Sequence, residues 1–200
     1  MKFLLLPLLF LALLACQSRN GTAQTGPEDA AAVSQDGTVV GKVDRSAKLA
    51  QGPNAQPGQA PLIVRMGSAT SKTGATVCLP VEVTNFKDMI GFQYTMAYDS
   101  AALVFKELRN FSLPGYSASN FGTRFADRGV VSTLWTDPGA LTGQSRPENH
   151  PIYEICFENV QPAGQTTTVQ FKDGPTRMEI IRKNMQQTSM AFANGRVTAR

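Results

Sequence analysis

Side chains able to do nucleophilic or acid–base chemistry are few and scattered in this sequence. The single histidine, His150, lies in the run ENHPIY, between an asparagine and a proline. The sequence offers no second histidine for a metal pair and no Gly-x-Ser-x-Gly segment to supply a nucleophile. We therefore expect His150 to be an ordinary loop residue.

Carboxylates are the next candidates, because glycoside cleavage uses two acids that face each other across a cleft. The acids considered for that role are far apart in the sequence and fall mostly in predicted turns. They are Asp99, Asp127, Asp137, Glu148 and Glu154. The sequence also has no phosphate-binding loop and no dinucleotide fingerprint. It predicts a protein that is not an enzyme and that needs no metal or cofactor.

Trp135, the one tryptophan, is the residue that favours a carbohydrate site, since many sugar sites stack a ring on an exposed indole. In the run STLWTD, regular alternation from Val131 puts Trp135 on the core side of its strand. A bulge near the strand end would turn the ring outward, where it would be the sugar contact. The alternation favours the buried orientation, and the outward one stays open.

The N-terminal run MKFLLLPLLFLALLAC has one lysine followed by an apolar stretch too short for a permanent membrane helix. Such a run is typical of a signal peptide. Leu13-Leu14-Ala15-Cys16 resembles the bacterial lipobox, whose cysteine is lipidated. Gln17 follows, which by resemblance to lipoprotein sorting favours the outer membrane. We expect a signal peptide over residues 1–15 and a lipid on Cys16, hence a lipid-anchored protein at the outer membrane or cell surface, outside the cytoplasm.

Residues 17 to about 60 are rich in Gly, Ala, Gln, Pro and Ser, with Val39, Val40, Val43 and Leu49 as apolar anchors. Such a chain buries too little surface to offset the entropy lost on ordering. The sequence therefore predicts a flexible, disordered tether over residues 16–60.

The formal net charge of +4 is spread along the chain without a Lys/Arg block. Nucleic-acid binding normally requires a clustered basic patch. We therefore expect no nucleic acid partner, and contact with the membrane through the lipid anchor alone.

From Pro61 onward, short β-rich runs alternate with clusters of Gly, Pro, Asn and Asp. In GFQYTMAYDSAALVF, residues 91–105, apolar and small polar residues alternate with the period of a half-buried strand. Asp99 is expected to cap the turn that ends this strand. Only PTRMEIIRKNM is a candidate helix. Residues 61–200 are thus predicted to form an all-β sandwich or barrel.

Several of these runs, taken in order, resemble the cohesin family. They are GATVCLPVEVTNFKDMIGFQYTMAYDSAALVF, then LWTD, PIYEICFENV and NGRVTA. The resemblance implies a nine-stranded jelly-roll β-sandwich, a fold related to carbohydrate-binding modules. It also implies a non-catalytic surface module that docks a dockerin-like extracellular protein, with a link to polysaccharide use. A carbohydrate-binding module that holds polysaccharide and a structural subunit of a surface assembly remain as alternatives.

The resemblance further implies a docking face on the third strand. Gly91 and Gln93 stand where the family places key polar contacts, and Thr95 continues the face. Leu134 and Thr136, on the opposite parity from Trp135, are the candidates from the neighbouring strand. Gly91 lacks a side chain and Gln93 is neutral, which departs from the family pattern. The small, polar character of the face favours a protein partner over a sugar.

Cys78 and Cys156 lie on the outward parity of TVCLPVEV and IYEICFEN. In the cohesin-like order these two strands are antiparallel neighbours. In an oxidising compartment this arrangement predicts a cross-strand disulfide. Two independent thiols are the alternative.

Overall fold

The computed structural model describes residues 32–34, 37–55, 58–139 and 141–200. The predicted signal peptide at residues 1–15, the lipid site Cys16 and the predicted tether up to residue 31 lie outside these ranges. Within them, no helix is long and apolar enough to cross a membrane.

Short β-strands build the described part of the chain, together with three single-turn 3-10 helices. The strands are β1 (Ala32–Val33), β2 (Val39–Val40), β3 (Ala50–Gln51), β4 (Leu62–Met66), β5 (Ser68–Ser71), β6 (Thr76–Thr84), β7 (Met89–Ala97), β8 (Leu103–Arg109), β9 (Phe121–Gly122), β10 (Val130–Thr136), β11 (His150–Asn159), β12 (Thr166–Lys172), β13 (Glu179–Arg182), β14 (Gln186–Thr188), β15 (Met190–Ala193) and β16 (Gly195–Ala199). The 3-10 helices are Ala118–Asn120, Ala126–Arg128 and Lys183–Met185.

The strands form two eight-stranded sheets around one hydrophobic core. In the first sheet, β6 pairs with β11 on one side and with β2 and β4 on the other. In the second, β7 pairs with β10 on one side and with β12 and β13 on the other. Pairing is antiparallel except for β2–β6, β4–β15 and β5–β16. The predicted all-β sandwich is confirmed, and three of its short strands precede residue 61.

Large aromatic side chains fill the space between the sheets. Tyr94 and Tyr153 are buried with their hydroxyl oxygens 2.9 Å apart, and burial raises the pKa of both phenols. The indole of Trp135 is 0 % exposed and its Nε1 donates to the carbonyl of Pro114 at 2.9 Å. The outward orientation of Trp135, and with it the sugar contact, is therefore wrong. The strand alternates regularly through Trp135, so no bulge turns it out.

Residues 37–55, which we call the strap, do not follow the predicted tether. Val39 is 7 % exposed and β2 pairs with the first half of β6. Farther along the strap, β3 pairs with β15. The described residues of the strap therefore belong to the sandwich.

The strap stays attached because its glycines allow the backbone to come very close to the sheets. The N–H of Gly41 donates to the carbonyl of Cys78 at 2.8 Å, and that of Gly52 to Met190 at 2.7 Å. A Cβ at Gly41 would lie 2.8 Å from the carbonyl oxygen of Ser68, and one at Gly52 would lie 2.8 Å from that of Met190. Glycine therefore allows the backbone of the strap to approach the sheets closely. The glycine-rich composition of the same segment had indicated disorder.

Cys78 and Cys156 lie directly opposite each other on β6 and β11, and the structure joins them by a disulfide. Both alternate with core residues of their strands, so they occupy the outer side, yet both are 0 % exposed. One carboxylate oxygen of Glu154 lies within 4.8 Å of both sulfur atoms. Because the sulfur atoms are bonded to each other, they offer no thiolate for a metal.

Candidate docking face

The outward side of β10, β7 and β13 carries most of the residues predicted for docking. Gln93 at the centre lies opposite Leu134 on β10 and Glu179 on β13. Leu134 is 53 % exposed, Glu179 is exposed and Gln93 is half-buried. The amide Nε2 of Gln93 donates to Oε2 of Glu179 at 3.3 Å. This row therefore combines an apolar group, an amide and a carboxylate across three strands.

The next row contains Gly91, which lies opposite Thr136 on β10 and Ile181 on β13. Thr136 is exposed, as predicted from its parity. Because Gly91 has no side chain, a groove of about 250 Å³ opens above it. Leu134 and Leu141 line it on the β10 side, and Ile181 and Met185 line it on the β13 side.

Thr95 does not belong to this face, contrary to the prediction. Its side chain is 0 % exposed because the segment between β12 and β13 covers it. Its hydroxyl donates to the carbonyl of Thr176 at 2.8 Å and accepts from the N–H of Thr176 at 3.0 Å. The covering segment is about eighty residues away in the sequence, so the alternation around Thr95 gave no sign of it.

Of the groove residues that are not buried, four escaped the sequence analysis, namely Leu141, Glu179, Ile181 and Met185. Leu141 is 46 % exposed and Met185 is 71 % exposed. Glu179, Ile181 and Met185 belong to the run that was a candidate helix, in which Glu179–Arg182 form β13 and Lys183–Met185 form a single 3-10 turn. In that run, buried Met178 and Ile180 alternate with exposed Glu179, and this was the available signal of a strand.

Asp137 organises the loop that carries Leu141. Its carboxylate accepts from the N–H of Gly139 at 3.0 Å, the N–H of Gly143 at 3.0 Å and the side-chain amide of Gln144 at 2.9 Å. The N–H of Gly139 and these further donors hold the pKa of Asp137 below its usual value. The carboxylate is thus kept ionised and fixes the loop directly after β10.

The turn between β6 and β7 holds the segments on both sides of the groove. The N–H of Asp88 in this turn donates to the hydroxyl of Ser145 at 3.0 Å, and Met89, the first residue of β7, exchanges two backbone hydrogen bonds of 2.8 Å with Gln144. These bonds attach the Leu141 loop. The N–H of Lys183 donates to the carbonyl of Asp88 at 2.6 Å, which attaches the segment before Met185. The Arg182 guanidinium adds donations to the carbonyls of this turn, at 3.2 and 3.3 Å. Both walls therefore share one support.

The residues considered for chemistry serve other purposes. His150 begins β11, and its Nε2 lies 3.1 Å from the hydroxyl of Ser112, which donates to the carbonyl of Pro151 at 2.6 Å. The hydroxyl proton is therefore directed away from the imidazole, and burial together with the charge of Arg146 lowers the pKa of His150. Asp99 accepts from the N–H of Ala101 at 2.9 Å, as the predicted cap of its turn.

Comparison with known proteins gives one family and many similar folds. The model of the family described as "Cohesin domain" matches residues 63–199. No curated protein matches the chain significantly. A chain of the Coh-OlpA-Doc918 complex, a type I cohesin–dockerin complex from Clostridium thermocellum, shares 14% identity at a TM-score of 0.60, covering 70% of this chain and 100% of that chain.

Two further solved structures extend the likeness. The seventh ScaB type I cohesin from Pseudobacteroides cellulosolvens is 21% identical at a TM-score of 0.56, covering 70% of this chain and 92% of its own. A non-cellulosomal cohesin from the archaeon Archaeoglobus fulgidus is 16% identical at a TM-score of 0.54, with the same two coverages of 70% and 92%. At these identities the likeness establishes the fold.

Proposed function

Because the chain belongs to the cohesin domain family, we propose that it is a non-catalytic module that docks a dockerin-like protein on the outward face of β10, β7 and β13. One observation supports this most directly. Of the six large hydrophobic side chains that are exposed in the described part of the chain, three line one groove on this face. They are Leu134, Leu141 and Met185. Clustered exposed apolar groups with a polar surround are typical of protein-binding surfaces.

The shape of the groove favours a protein over a small ligand. Its volume of about 250 Å³ lies below the roughly 300–1,000 Å³ of small-molecule sites. The two aromatic residues that line it, Phe92 and Trp135, are 2 % and 0 % exposed and present no ring to a sugar. A shallow face of this kind suits side chains presented by a folded partner.

The proposal places the module outside the cytoplasm, held at the outer membrane by a lipid on Cys16. The Leu-Leu-Ala-Cys run supports this placement. Only residues 17–31 separate Cys16 from β1. A lipid on Cys16 would therefore hold the module and its partner at the membrane. A partner that acts on polysaccharide would thereby be kept at the cell surface.

Capture from secreted proteins tests the proposal. The chain is expressed with its signal peptide, so that the cell can process it, and with a C-terminal affinity tag. The mature product is then exposed to the secreted proteins of its own organism. We expect it to retain a dockerin-containing protein, identified by mass spectrometry. Leu134→Asp alone, or together with Gln93→Arg, should abolish retention while leaving the Tm nearly unchanged, because both residues lie on the outward side of the sheet and neither belongs to the core.

Val104→Asp is the matched control. Val104 is also an exposed strand residue, at 43 %, but it lies on β8 in the other sheet. Equal retention by the Leu134 and Val104 variants would place docking elsewhere. Retention of polysaccharide in place of a protein would favour the carbohydrate-binding alternative.

A further inference from the structure

Two bulky residues of the groove share an unusual backbone conformation. Seven described residues other than glycine have a positive φ, and five of them are Asn or Asp, which tolerate the left-handed region. The other two are Leu141, with φ of 61°, and Met185, with φ of 60°. Both line the same groove, one on each of its walls. The two strained bulky residues therefore coincide at a single place on the molecule.

The left-handed conformation does not stabilise the fold in a way that would explain why leucine and methionine occupy these two positions. For a side chain with a Cβ, the left-handed region costs free energy, which glycine avoids and asparagine reduces. Leu141 and Met185 are 46 % and 71 % exposed, so they recover little of that cost by burial. Strain kept at an exposed apolar residue points to a role in binding.

The support of the two residues fits such a role. Asp137 fixes the Leu141 loop, and both this loop and the segment before Met185 are hydrogen-bonded to the β6–β7 turn. The two side chains are therefore presented from fixed positions on either side of Gly91. A binding surface built this way loses less entropy when it is occupied.

The negative charge of Glu179 next to the groove further restricts which side chains a partner can present there. Glu179 is exposed at the edge of the groove, and its carboxylate meets the neutral amide of Gln93. The ion pairs of the described residues do not include Glu179. An exposed carboxylate that takes part in no ion pair among the described residues is complementary to a lysine or arginine of a partner.

We infer that Leu141 and Met185 form a preformed apolar clamp, which contacts one bulky aliphatic or aromatic side chain of the partner from two sides, seated above Gly91. A basic side chain of the same partner pairs with Glu179. The inference rests on the proposed function, and it adds which chemistry the docking protein must present. The occupant is thus a dockerin-like protein whose surface carries one protruding apolar side chain beside a Lys or Arg.

Glycine substitution separates clamping from structural support. In Leu141→Gly and Met185→Gly, the new residue adopts the positive φ without strain, while the clamp side chain is removed. We expect each variant to keep or raise the Tm of the mature chain. The double variant should bind the dockerin-containing protein retained by the wild type at least tenfold more weakly. Glu179→Gln should weaken binding and reduce its dependence on salt.

Asn110→Gly is the control, because Asn110 has a φ of 56° at the exposed end of β8 and does not line the groove. It should leave both the Tm and the affinity nearly unchanged, because asparagine already tolerates this conformation. A lowered Tm in the clamp variants would show that Leu141 and Met185 are packing residues and would overturn the inference.

The affinities also distinguish the two proposals. If Leu134→Asp abolishes binding while the double glycine variant binds normally, the docking face stands and the clamp is wrong. If neither change affects retention, or if the wild type retains no dockerin-containing protein, the proposed function fails and the clamp fails with it.

Discussion

A Cβ atom added to Gly91 would lie 3.2 Å from the backbone oxygen of Trp135 on the neighbouring strand. The two strands therefore leave barely enough room for an alanine at this position, and the groove above it exists because the side chain is missing. Gly91→Ala should reduce partner affinity about tenfold, since its methyl group occupies the floor of the groove. The Tm should shift by only a few degrees, because the higher strand propensity of alanine offsets the tight contact. Isothermal titration with the purified partner and a thermal melt would measure the two effects.

Unchanged affinity in Gly91→Ala would contradict a partner side chain seated above Gly91. Val104→Ala is a suitable control, because Val104 is exposed on β8 in the other sheet and does not line the groove.

Asp137 makes the Leu141 loop sensitive to acid. Its folded-state pKa is below the ordinary 3.8, so its contribution to stability is complete above about that pH and is lost as the pH falls through the folded-state pKa. Asp137→Asn presents an NH2 group where the carboxylate accepted a backbone N–H, and should cost about 1–3 kcal/mol of unfolding free energy. Urea unfolding from pH 2 to 6 should show a smaller acid-induced loss in the variant. An identical pH profile would contradict the assignment.

The strap should stabilise the sandwich measurably. A chain that starts at residue 61 lacks Val39 in the core and exposes the edges of β6 and β15 that β2 and β3 cover. We expect it to melt at a lower temperature than a chain that starts at residue 37, and to aggregate more readily through its open strand edges. Calorimetry of the two chains decides this, and equal melting temperatures would mean that the strap adds nothing to stability.

The disulfide should contribute strongly, since Cys78 and Cys156 are separated by 78 positions. The chain-entropy model gives about 4–5 kcal/mol for a loop of this length. Both cysteines are buried, so folded protein should resist thiol reagents even with a mild reductant present. Unfolding in urea with and without strong reductant measures the difference. Two reactive thiols in the untreated folded protein would show that the bond does not form.

Local patterns predicted those features of the fold and site that depend on neighbouring residues. Short β-rich runs between turn residues were enough to predict the sandwich, and alternation gave the outward parity of Leu134, Cys78 and Cys156. That the two cysteine strands are neighbours was implied by the resemblance to cohesins. It failed for Thr95, because the covering loop comes from a distant part of the chain. The strap was missed because glycine enrichment has two physical meanings, chain flexibility and close backbone approach, and composition alone does not separate them. Met185 was missed because exposure and a positive φ depend on the tertiary fold.

The β6–β7 turn supports both walls of the groove yet contributes no side chain to its lining. Width and chemistry of the groove are therefore encoded in different parts of the sequence. A one-residue insertion in this turn would change the spacing of the walls while leaving every contact residue in place. Under the proposed docking function, the turn is therefore the place where the width of the groove can be varied without replacing a lining residue.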